Sequence, residues 1–285
     1  MKIDKTCLLG LILWLCAIGT NASTPDYWRS DSIKVMRLFK EAARLRTDTN
    51  YMLFFARKLA GLPYVGKTLE HNEQERLVVN MRQFDCTTFV ETVLALKRCM
   101  DQHTPSFAKF CDNLRLIRYS GGKISYANRL HYFSEWIHDN ENLGIVQDIQ
   151  GPNPPFAAVQ HLQVDYMTKH VNRYPMLVKH PEWIPLIRQM EESLTGRTYR
   201  YIPKNRLGDS KLLRQTIHDG DIIVILTSKK GLDTSHIAIA VWHKDGLHMI
   251  DASSIYRRVI EEPKLMSRYM AEHPTHTGIR IVRPK

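Results

Sequence analysis

The stretch from Phe84 to Leu94 (FDCTTFVETVL) constrains this chain more than any other. Apolar or small residues at Cys86, Phe89, Val90, Val93 and Leu94 follow the i, i+3, i+4, i+7, i+8 spacing of an amphipathic helix. Asp85 is a good N-cap immediately before that stripe, so the spacing predicts a helix over 85–100. Cys86 then falls in the first turn, where unpaired N–H groups and the helix dipole favour a thiolate. A cysteine so placed is suited to nucleophilic attack, and the same N–H groups can receive an oxyanion. A buried core cysteine would satisfy the same stripe, so position alone does not make Cys86 catalytic.

The N-terminus sets the context for that thiol. Lys2 and Lys5 precede a twelve-residue apolar run, Cys7 to Ile18, which is short for a bilayer span. Thr20-Asn21-Ala22 supplies the small residues of a cleavage site. Residues 1–22 therefore read as a secretory signal peptide, leaving 23–285 as a single domain of an exported, soluble protein. No membrane insertion is expected after cleavage. Cys16 lacks the preceding small residue of a lipidation site.

Loss of the leader lowers the formal charge from +11 to +10, because Lys2, Lys5 and Asp4 leave with it. A basic surface suits acidic partners. No block of Lys and Arg interleaved with aromatics points to nucleic acid. Three cysteines remain, Cys86, Cys99 and Cys111. The odd number leaves at least one free thiol; Cys99 and Cys111 are close enough in sequence to pair, with Cys86 left over.

Helices are expected at 30–46, 51–59, 106–113, 131–140 and 181–194, the last opening on Pro181. Leu114 to Tyr119 and Lys123 to Tyr126 read as two strands joined at Gly121-Gly122. Residues 145–180 show no clear period. The last third is β-rich, with strands expected at 221–227, 235–242, 247–253 and 279–283. Without repeats or a long linker, this is one α+β domain: helices first, an antiparallel sheet last.

His236 opens one of those apolar strands and Asp251 lies in the next. A four-residue loop, His243 to Gly246, would pair Trp242 with Leu247 and set Asp251 opposite Ala238. His236 and Asp251 would then be diagonal neighbours on one face, about 7–8 Å apart in backbone terms. A two-residue turn at Asp245-Gly246 would set Asp251 opposite Ala240, too far away. In the first register the chain holds a nucleophile, a base and an orienting carboxylate.

These blocks resemble a known family. Phe-Asp-Cys86-Thr-Thr-Phe-Val is similar to the Asp-Cys-Ser-Gly-Phe-Val signature of the papain-like NlpC clan of cell-wall hydrolases. Ser-His236-Ile-Ala-Ile-Ala resembles its His-Val-Gly-Ile strand, and Met-Ile-Asp251-Ala-Ser its third block, with Asp where many members have His. The wider pattern, Pro-Tyr64-Val-Gly-Lys-Thr-Leu-Glu70, Asn80-x-Arg-x-Phe-Asp-Cys86, Tyr126-x-x-Arg129-x-His131-Tyr132 and Gly231-Leu-Asp233-x-Ser235-His236, is similar to its exported N-acetylmuramoyl-L-alanine amidase-like branch in Gram-negative bacteria. The resemblance implies a papain-like fold, a periplasmic location, no cofactor, and peptidoglycan fragments as substrate, with anhydro-sugar ends a further family expectation. A monomer is expected. Within that frame Cys86, His236 and Asp251 are the catalytic residues, and Asn80 or Tyr64 completes the oxyanion site. Glu70, Arg129, His131, Tyr132, Asp233 and Ser235 are candidate substrate contacts, although a structural ion pair suits Arg129 equally well.

Three alternatives compete. A γ-D-glutamyl-diamino acid endopeptidase would use the same triad. A wall-binding module would need no nucleophile. A zinc amidase is disfavoured, because the 13 histidines include no His-Glu-x-x-His pair and look scattered, so no metal site is expected.

Overall fold

A computed structural model describes residues 24–285, so the expected leader lies outside the described residues. The first half carries β1 (Asp26–Tyr27), α1 (Arg29–Ala42), α2 (Tyr51–Lys58), β2 (Val78–Val79), α3 (Cys86–Asp101), α4 (Phe107–Arg118) and α5 (Phe133–Asn142). Then come β3 (Val146–Ile149), β4 (Ala158–His161), α6 (Tyr166–Lys169), α7 (Pro175–Lys179), α8 (Ile184–Leu194), β5 (Thr198–Pro203) and α9 (Lys211–Thr216). β6 (Ile222–Thr227), β7 (Thr234–Trp242), β8 (Leu247–Ser253), β9 (Arg258–Glu261), α10 (Met266–Ala271) and β10 (His276–Pro284) complete the fold. None of the described helices is long and apolar enough to cross a membrane.

The principal sheet runs β4-β5-β10-β6-β7-β8-β9, with β3 also paired to β10, and its pairings are antiparallel. Apolar side chains alternate between its two faces. Val224, Leu226, Ile237, Ile239, Ile250 and Ala252 join the core under α1 to α5. Ile223, Ile225, Ala238, Ala240 and Met249 pack on the other side with Met266, Tyr269 and Met270 of α10. Coverage on both faces explains why DIIVILT is an unbroken apolar run. The architecture is therefore mixed, with helices and an antiparallel sheet. Strands β3 and β4 come from the 145–180 stretch, which has no readable period, and β5 follows α8.

Helix α3 begins at Cys86 as the spacing predicts. The Asp85 carboxylate accepts from the Thr88 N–H at 2.8 Å, and Thr88 Oγ1 accepts from the Asp85 N–H at 3.0 Å. Phe89, Val90, Val93 and Leu94 are fully buried, each contributing about 1.5–3 kcal/mol of hydrophobic stabilisation. The expected strand pair over 114–126 is not formed. Helix α4 instead continues to Arg118, because Phe110, Cys111, Leu114 and Ile117 bury a helical stripe in the same core as α3. Arg118 closes that contact with a buried ion pair to Glu91, 2.7 Å. Gly121 and Gly122 form a tight left-handed turn, and a Cβ at Gly122 would meet the Arg115 guanidinium at 2.4 Å.

Candidate active site

Strands β7 and β8 pack against helix α3 at its Cys86 end. The hairpin register pairs Trp242 with Leu247 and Ile239 with Ile250, which sets Asp251 opposite Ala238, as the four-residue loop requires. His236 Nε2 and Asp251 Oδ2 are 2.7 Å apart. Asp251 is buried, and the His236 side chain keeps 14% exposure.

A β-bulge sits at this point. Ile225 pairs with His236 but Leu226 pairs with Thr234, so Ser235 is the extra residue. Bulges of this kind re-aim neighbouring side chains.

Burial would pull the His236 imidazole down. The charge of Cys86, hydrogen bonds to Asp251 and Cys86, and the charge of Asp251 outweigh it and raise the ring to about 10. Because Asp251 occupies Nε2, the ring nitrogen left for the thiol is Nδ1. The arrangement is an imidazolium held between a carboxylate and a cysteine at a helix N-terminus. Such a pair holds the sulfur as a thiolate ready to attack, and its imidazolium can protonate a leaving amine.

The raised value fixes a sign. An imidazole above its ordinary 6.5 stays protonated until pH passes its shifted value. Amide hydrolysis is therefore expected to fall as pH rises through about 10. Asp251→Asn should move that alkaline limb to lower pH, as initial rates between pH 5 and 11 would show; an unmoved limb would exclude Asp251 as the group holding the proton.

Tyr64 stands beside this group. The 63–65 segment bridges Phe84 on one side and Arg257 and Arg258 on the other: Phe84 N–H donates to Pro63 O, Val65 N–H to Phe84 O, and Tyr64 N–H to Arg257 O. Burial, then the charges of Cys86, Asp85 and Asp251, push the Tyr64 hydroxyl up to about 12, so it remains a donor. Asn80 is occupied differently. Its Oδ1 accepts from the Arg82 N–H at 3.0 Å and closes a turn, and no hydrogen bond among the described residues joins it to the triad.

The remaining candidates are engaged within the protein. Arg129 is buried, paired with Glu70 and 3.5 Å from Glu75, and lies over the Tyr126 ring. That is the structural ion pair, formed between two of the candidate contacts themselves. His131 bonds the Tyr126 carbonyl at 2.8 Å; burial and then Arg129 push its ring down to about 3. Tyr132 donates to Glu191 at 2.6 Å. Asp233 accepts the Ser134 N–H at 2.6 Å, capping α5 from outside. Ser235 is exposed at the bulge, its Oγ 3.1 Å from His276 Nε2.

Two neighbours were not legible in the sequence. Tyr269 feels Asp251 and Cys86, and burial first, then those charges, hold its hydroxyl above the usual phenol range. His276 is pushed down to about 4 by burial, with His273 and His236 adding repulsion. Neither sits in a motif; each reaches the site through α10 or the long return strand β10. Cys99 and Cys111 are free buried thiols, raised by burial to about 11 and about 12.

Comparison with known proteins decides the family. The AmiA-like family, described as N-acetylmuramoyl-L-alanine amidase-like, matches residues 54–279. The chain belongs to this family. Among solved structures, an N-acetylmuramoyl-L-alanine amidase from Bacteroides uniformis is similar at 36% identity and a TM-score of 0.77, covering 82% of this chain and 98% of that one. A Bacteroides fragilis protein described as a candidate xylanase matches at 35% identity, with a TM-score of 0.74 and coverage of 80% and 98%. A Legionella pneumophila protein shares the fold at 21% identity, with a TM-score of 0.70 and coverage of 90% and 94%. No curated protein sequence matches this amidase-like chain.

Proposed function

We propose that this chain is an exported, papain-like cysteine amidase of the NlpC clan that cleaves the amide between muramic acid and L-Ala in muropeptides. The observation that carries the reading is the 2.7 Å His236–Asp251 contact on adjacent strands, with its imidazole charge-coupled to Cys86 at the start of α3. The family match supplies the amidase class and, through it, peptidoglycan fragments as the substrate. Glycan cleavage of the xylanase kind needs two carboxylates flanking the bond; here the one carboxylate of the triad is bound to the imidazole.

In this reading His236 takes the Cys86 proton and Asp251 orients the ring. The thiolate attacks the lactyl carbonyl. The oxyanion rests on the Cys86 N–H and the Tyr64 hydroxyl, which is better supported for this role than the turn-capping Asn80. His236 protonates the departing L-Ala nitrogen as the C–N bond breaks, leaving a thioester. Water, giving its proton to His236, releases the muramoyl acid and the free thiol. Periplasmic export through the 1–22 leader belongs to the same proposal.

Digestion of a defined disaccharide-tetrapeptide, with products weighed by mass spectrometry, tests it. Intact tetrapeptide plus free muramoyl disaccharide is the expected result. A muramoyl-dipeptide product would replace the amidase with the endopeptidase, and no product would leave a binding module.

A further inference from the structure

The β7–β8 hairpin carries His236 and Asp251 along its strands and a second group of side chains in its loop. His243, Asp245 and His248 offer donor atoms that all lie within 4.8 Å of one another. Their spacing, His-x-Asp-x-x-His, looks unremarkable in sequence, and the histidines there read as scattered. The loop geometry gathers them. The His243 N–H donates to the Gly246 carbonyl at 2.9 Å, and Gly246 takes a φ of +148°, where a Cβ would meet Leu265 at 2.7 Å.

Proton bookkeeping singles out this loop. His248 is buried, and its Nδ1 lies 2.9 Å from the Glu262 carbonyl. A carbonyl only accepts, so Nδ1 carries a hydrogen and Nε2 is the ring nitrogen turned into the loop. That nitrogen faces the Asp245 carboxylate at 3.2 Å. His243 is fixed the opposite way. Its Nε2 contacts the Glu261 carboxylate at 2.5 Å, and Arg57 holds that carboxylate in turn at 3.0 Å. The contact keeps hydrogen on Nε2 and frees Nδ1. The two rings stack at 4.3 Å. Outer partners that lock each imidazole tautomer are the arrangement that orients histidine ligands on metals.

We propose that His243, Asp245 and His248 form a binding site for a borderline divalent transition metal of the zinc class. Two imidazoles and one carboxylate suit such an ion rather than calcium or magnesium, which prefer all-oxygen cages. Glu261 and the Glu262 carbonyl are the supporting partners. His236 lies near the other end of β7, about 23 Å away along an extended strand. The ion therefore does not take part in amide cleavage. It pins the two strands whose register sets the His236–Asp251 contact.

The test uses the full chain after chelator treatment, in a Cys86→Ser background that removes a competing thiolate. Zinc chloride alone is titrated by calorimetry, with magnesium as the comparison. One zinc per chain and a melting temperature raised by about 3 °C or more are expected, and no response to magnesium. His243→Gln and Asp245→Ala change solvent-exposed side chains, so both variants are expected to melt as the parent does without zinc. Each should weaken zinc binding by about tenfold or more and abolish the thermal shift. Unchanged zinc affinity in the double variant, or no zinc binding by the parent, would overturn the proposal. If a variant melts early, cobalt(II) spectra of the parent decide: visible d–d bands support histidine ligation and their absence refutes it.

Discussion

Cys86→Ala is expected to abolish hydrolysis while leaving the fold intact. Removing the nucleophile of a hydrolytic triad typically lowers turnover by about 10⁴-fold or more. The structural cost here is small. Cys86 is only partly buried, and alanine is a better helix former at that position. The cap that starts the helix belongs to Asp85 and Thr88, not to the thiol. A melting curve within about 2 °C of the parent, together with loss of product from the disaccharide-tetrapeptide, is the expected pair of results. Retained turnover would remove Cys86 from the reaction altogether, and with it the papain-like reading.

The largest stability effect is expected at Glu91, in the second turn of α3. Its carboxylate meets Arg118 at 2.7 Å, with both side chains almost fully buried. Arg118 also donates to the Val78 carbonyl at 2.7 Å, so the guanidinium ties α3 and α4 to β2. Glu91→Gln keeps the shape and removes the negative charge, stranding the arginine cation. Breaking one half of a buried pair costs about 3–5 kcal/mol. For a chain of this size that lowers the melting temperature by on the order of 10 °C. Glu91→Leu combined with Arg118→Met removes both charges and is expected to restore most of the loss. A single-variant cost below about 1 kcal/mol would show that another group compensates the arginine.

The start of α3 was more legible than the fold around it. Asp85, Cys86 and the 3.6-residue stripe specify α3 locally, because cap and period are properties of a few adjacent residues. Two registers of β7 on β8 stayed open in the sequence, and the structure takes the four-residue loop that brings His236 and Asp251 together. The bulge at Ser235 was not legible, since it depends on how β6 pairs. The 114–118 stretch misled because its apolar residues suit a strand as well as a helix, and packing in the core with α3 decided between them. Arg129 shows a different limit. A lone arginine in a motif suits a substrate carboxylate, and only the fold brings Glu70 and Glu75 to it. Strands β4 and β5 are half-exposed and short on apolar residues, so no period marks them.

The position of β10 has a consequence for how the protein matures. This strand, last among the described elements, lies between β5 and β6 in the middle of the sheet rather than at its edge. Cys86 precedes His236 by 150 residues, and the strand that completes the sheet follows later still. Loop closure over such separations is slow, and it is rewarded only when the partner strands exist. The sheet beneath Cys86 and His236 is therefore expected to be complete only once β10 has inserted between β5 and β6. A chain interrupted ahead of β10 is expected to leave Cys86 on its capped helix above an unfinished sheet.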